Sequence, residues 1–145
     1  MTGPRLGQPQ TPWHLWVVGA VTLLFNLLGI TSYLMTKLDM LDQTAMTAEQ
    51  IAFMESYPAW ATAFWALGVW GAFAGSVLLL FRSRIAVAAM VAALIGLVGV
   101  TVAESFVLDV PSAMRTPLPL KATIWLVTLY LLAYTRRMAG TGVLR

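Results

Sequence analysis

Pro58–Phe81 reads PAWATAFWALGVWGAFAGSVLLLF, and Ile85–Leu108 reads IAVAAMVAALIGLVGVTVAESFVL; only Arg82, Ser83 and Arg84 separate them. Each run exceeds the ~20 apolar residues that an α-helix needs to cross a bilayer. Three connecting residues force an antiparallel helical hairpin. The first run holds no charged residue and the second only Glu104. Helices that are apolar all round belong in a membrane or a large core, and this chain is too short for a large core. The hairpin therefore reads as two membrane spans.

Working outward, Trp13–Met35 reads as a span before the hairpin and Leu118–Tyr134 as one after it. Pro12 suits a helix start, with Trp13 and Trp16 at belt positions. The last span is the shortest, and Pro117 and Pro119 break the chain before it. Composition agrees. Of 145 residues, 59% are hydrophobic and only 10% charged, with mean hydropathy +0.79, where a soluble domain carries ~25% charged residues. The expected fold is all-α: an integral membrane four-helix bundle, one domain over residues 13–135. Residues 1–12, with Gly3, Pro4, Gly7 and Pro9, read as a flexible tail and not as a cleaved signal peptide. Residues 136–145 read as a basic C-terminal tail.

The connection Thr36–Tyr57 is long enough for structure of its own. Thr47-x-x-Gln50 fits a capping box, which predicts a short helix near Ala48–Ser56 lying at the membrane interface. Charge then orients the bundle. One side carries Arg5, Arg82, Arg84, Arg136, Arg137 and Arg145 with no acid. The other carries Lys37, Arg115 and Lys121 with Asp39, Asp42, Glu49, Glu55, Glu104 and Asp109. Basic residues flanking spans stay in the cytoplasm, so both termini are expected inside. Those charges sit at span ends rather than in a patch, so the basic balance (pI ≈ 9.7) does not suggest nucleic acid. The pattern Pro58-x-x-Ala61-Thr62 recurs as Pro119-x-x-Ala122-Thr123; a duplication of hairpins and chance in a biased composition both account for it.

Several residues stand out within the spans. Gly19, Thr22, Asn26, Gly29 and Tyr33 fall on one helix face, which must look inward. Asn26 near mid-membrane serves either as interhelical glue or as a solute contact. Gly68, Gly71, Ala72, Gly75 and Ser76 form a small-residue face containing a GxxxG pattern, answered by Ala89, Ala93, Gly96 and Gly99 in the next span. Close packing inside the bundle and a homodimer face are both open to it. Glu104 lies roughly 28 Å from Ile85 at ~1.5 Å per residue, near the outer boundary. It either pairs with Lys121 or forms a proton or cation site. His14 reads as an interfacial belt residue.

Zero cysteines exclude disulfides, thiolate metal sites and cysteine nucleophiles, and one histidine excludes bis-histidine haem ligation by a single chain. No phosphate loop, nucleophile elbow, zinc-protease motif or dinucleotide fingerprint occurs. No enzyme, metal or cofactor is expected.

Pro12-Trp13-His14-Leu15-Trp16-Val17-Val18-Gly19, then Asn26, Tyr57-Pro58-Ala59-Trp60, Trp65, Trp70-Gly71 and Gly75-Ser76 resemble a group of small four-span bacterial inner-membrane proteins often labelled sugar transporters. The resemblance covers the first three spans. It implies a bacterial inner-membrane location, and no established activity or functional residues carry over with it. Small multidrug exporters differ by a glutamate in their first helix, where this chain has Asn26, and mercury transporters need cysteines. Two functions are therefore expected: an accessory membrane protein packing as a homo-oligomer or with a larger membrane complex, or an oligomeric small-solute carrier built around Asn26, Tyr33 and Glu104.

Overall fold

Prolines open three of the long helices. The ring fixes φ near the helical value and has no N–H to leave unpaired, and Pro12, Pro58 and Pro117 each stand as the extended residue before the first turn. In the computed structural model, which describes residues 10–41 and 44–145, these starts give helices α1 (Trp13–Lys37), α3 (Ala59–Leu80) and α5 (Leu118–Gly140). Between them lie α2 (Ala48–Glu55) and α4 (Ile85–Val102), the latter prolonged by a π turn over Ala103–Val107. The expected flexible tail up to Pro9, Arg5 within it, and Asp42 lie outside the described residues.

Four of these helices, counting α4 with its π turn, are long and apolar enough to cross a membrane, and no strand occurs among the described residues. The protein is an all-helical, multi-pass membrane bundle. The predicted boundaries hold to within a few residues except at the end. The fourth span has 23 residues, not the 17 expected for Leu118–Tyr134. The charges of Arg136 and Arg137 suggested a stop at Tyr134. The helix continues because Thr135 and Met138 are buried on its inner face, while both arginines are exposed, their long stems suited to carrying charge out to water.

What read as a basic tail is thus the last turns of α5 and a packed return. Helices α1, α3 and α5 all end with an amide bonding five residues back: Met40 N to Met35 O at 2.9 Å, Ser83 N to Leu78 O at 2.8 Å, Val143 N to Met138 O at 3.1 Å. That motif needs a left-handed residue just past the helix. Gly142 supplies it at φ 76, while Asp39 and Arg82 accept it at φ 52 and 59. Beyond Gly142 the chain turns back onto the α3–α4 corner. Arg84 N donates to Arg145 O at 3.0 Å and Arg145 N to Arg82 O at 2.7 Å. Val143 and Leu144 are buried by this return.

Packing runs α1 on α3, α3 on α4, and α4 on α5. The α3–α4 contact is the closest because glycine admits backbone to backbone. A Cβ at Gly71 would lie 2.8 Å from Ala93 N and 3.1 Å from Ala89 O, and one at Gly96 would strike the backbone of Gly68 and Phe64. The small-residue face is therefore spent inside the bundle. The fully buried large side chains Leu15, Leu79, Met90, Leu131 and Leu144 all lie where α1 and α4 begin and α3 and α5 end. The tight core occupies the arginine-bearing half.

Candidate functional site

The opposite half is not filled. A cavity of about 520 Å³ lies there, walled by α1, α3, α4 and α5 and roofed by Phe53 and Met54 of α2 and by Met114 and Thr116 before α5. The roof has a local cause. Thr47 Oγ1 accepts from Gln50 N at 3.3 Å while Gln50 Oε1 accepts from Thr47 N at 2.9 Å. This reciprocal box satisfies two orphan amides and starts α2 where the sequence places it.

Asn26 forms part of the cavity wall toward its core end. Its Nδ2 donates to Ala72 O at 3.0 Å and to Ser76 Oγ at 2.9 Å, and Ser76 Oγ lies 3.3 Å from Thr22 Oγ1. Of the two roles open to Asn26, the glue between α1 and α3 is the one visible in its contacts. Among the described residues no buried side-chain nitrogen or oxygen lacks a partner. Gly19, Thr22 and Asn26 are buried on the inward face, as expected, and Tyr33 is half-buried on it. Tyr33 does not line the cavity; it packs edge-on against Trp65, centroids 5.2 Å apart, and Trp65 does line it.

At the far end Glu104, Lys121 and Tyr57 meet on the cavity wall. The predicted partner of Glu104 was Lys121. The hydrogen bond it makes is instead to Tyr57, whose hydroxyl donates to Glu104 Oε1 at 3.5 Å. Lys121 lines the same space. Burial pushes the Tyr57 phenol above its ordinary range and the Glu104 charge adds to this, so Tyr57 remains a donor at any working pH. Glu104 also sits in the π turn, closed by Leu108 N to Ala103 O at 2.8 Å; such turns often mark functional positions.

Sequence reasoning passed over Tyr57, Trp65 and Thr128 as members of this site. Tyr57 and Glu104 are 47 positions apart, so no local pattern links them. It also read His14 as a belt residue alone, whereas His14 Nδ1 is hydrogen-bonded to the Tyr134 hydroxyl, joining α1 to α5 at the core end. Of the packing glycines, Gly68, Gly71 and Gly96 meet backbone across the α3–α4 contact, Gly75 meets Met90, and Gly99 meets the Phe64 ring.

The arrangement is a largely apolar cavity with one acid, one base and one phenol at the end away from the packed core. Among the described residues no three His, Cys, Asp or Glu side chains converge as a metal site. The fold defines a multi-pass helical membrane protein with a cavity among its helices. No protein-family profile, curated protein or solved structure matches the chain.

Proposed function

We propose that this chain is a non-catalytic accessory protein of a bacterial inner membrane, working as a homo-oligomer or beside a larger membrane protein. Both termini lie in the cytoplasm and α2 rests at the outer interface. The observation that carries this reading is where the polar side chains go. Asn26, Ser76, Thr22 and the His14–Tyr134 pair tie helices together, so these groups are spent on packing rather than on catalysis. The six-to-three bias of basic residues supports the orientation, and the resemblance at the opening of the first span supports the location.

The cavity favours a second reading, a small-solute carrier. Against it stands the packed half from Leu15 to Leu144, which leaves no continuous route. Reconstituted proteoliposomes distinguish the two. The accessory reading expects no uptake of small neutral sugars above empty vesicles and a defined oligomer or hetero-complex in mild detergent. Saturable uptake that is lost in an Ile124→Trp variant, which fills the cavity, would overturn it in favour of the carrier.

A further inference from the structure

The cavity is bordered on one side by a seam rather than a contact. Helix α1 packs on α3 and α5 packs on α4, and α1 meets α5 through His14 and Tyr134 at the core end. Toward the other end both helices still line the cavity, α1 with Leu28 and Ser32 and α5 with Leu120 and Lys121. Leu28 is 71% exposed and Leu120 47% exposed, so the cavity wall continues onto the bilayer-facing surface. An occupant can enter sideways from lipid.

The lining says what that occupant is. Phe25, Val69, Leu97, Val100 and Ile124 make an apolar trough, which a sugar or free amino acid would not fill favourably. Glu104 and Lys121 share the outer end, which a plain hydrocarbon would leave without partners. A purely anionic head would meet Glu104 and a purely cationic one would meet Lys121. A head carrying both charges complements both. The volume, about 520 Å³, falls in the ~300–1,000 Å³ range of single-molecule sites.

We propose that this cavity binds one zwitterionic lipid-like amphiphile taken from the bilayer, its chain in the apolar trough, its phosphate toward Lys121 and its ammonium toward Glu104. Tyr57, already donating to Glu104, holds that carboxylate in place. Trp65 and Phe53 close the space above the chain. The site does not depend on whether a partner protein is found, so its failure and that of the accessory reading are separable.

The test is native mass spectrometry on the full chain in detergent, titrated with three probes. These are lysophosphatidylethanolamine, lysophosphatidylglycerol with the same chain, and chainless glycerophosphoethanolamine. The expected result is a saturable one-to-one adduct with the first, weaker by about tenfold or more with the second for want of one charge-assisted bond, and absent with the third. Lys121→Gln should weaken the adduct by a similar factor, and Glu104→Gln should erase the preference for the ethanolamine head. Ile124→Trp should abolish binding. Equal binding of both lysolipids to the unaltered chain, or binding of the chainless head, would overturn the proposal. Should Ile124→Trp not fold, the two charge variants decide, since both residues are only partly buried; adducts unchanged in both would overturn it as well.

Discussion

A methyl group added at Gly96 and one added at Gly75 meet different matter, and that difference sets their effects. At Gly96 the new Cβ would run into Gly68 and Phe64 backbone, which cannot swing aside, so α3 and α4 must separate. Gly96→Ala is expected to destabilise by about 1–3 kcal/mol. At Gly75 the neighbour is the Met90 side chain, a flexible thioether that can change rotamer. Gly75→Ala is expected to stay near neutral, helped by alanine's better helix propensity. Thermal unfolding in detergent measures both, and equal losses would contradict the packing account. Asn26→Leu removes both donors that tie α1 to Ala72 and Ser76; interhelical bonds of this kind are worth about 0.6–2 kcal/mol, and a loss in that range is expected. The sequence made these residues visible because small and polar side chains in an apolar span have few uses. It could not say which helix each one meets, since that depends on the rotation of α1 and α4 about their own axes.

At the level of elements, the legible features were those written in a few adjacent residues. Thr47 and Gln50 announce the start of α2 because both halves of the capping box lie three residues apart. The Arg82–Arg84 corner is legible because nothing longer than a tight turn fits. The end of α5 was misjudged because charge marks where a span leaves hydrocarbon, not where its helix stops. The π turn at Ala103–Val107 leaves no mark in the sequence, since AESFV suits an α-helix equally well. The returning strand of chain after Gly142 is held by Leu144, 1% exposed, and by the paired amides of Arg84 and Arg145. Leu144→Ala should cost about 2–5 kcal/mol, as other buried leucine truncations do. Because the contact is local, amide exchange at Arg84 should quicken more than exchange in the middle of α4. Unchanged exchange at Arg84 would show that the return is not anchored there.

For the whole molecule, the sequence conveyed the number of long apolar helices, because that is a sum over many residues. It did not convey the cavity, which is a volume left unfilled by side chains from four helices and two connections. Orientation is the global property most open to test. Antiparallel spans place Arg82, Arg84, Arg136, Arg137 and Arg145 at one end of the bundle, and Lys37, Arg115 and Lys121 at the other. The basic end should remain in the cytoplasm, since translocating arginines is disfavoured during insertion. A reporter fused after Arg145 is therefore expected to be active only as a cytoplasmic fusion. The chain has no cysteine, so Ala45→Cys, at an exposed position between α1 and α2, offers a clean external label for an impermeant maleimide. Arg136 and Arg137 are exposed and take no part in the Arg82–Arg145 pairing, so both can be changed to Gln without loosening that corner. Removing them reduces the bias from six against three to four against three, and a mixed population should appear, with Ala45→Cys labelled on only part of the molecules. A wild-type chain whose C-terminal reporter lies outside would overturn the orientation, and an unmixed double variant would show that other features of the spans hold it.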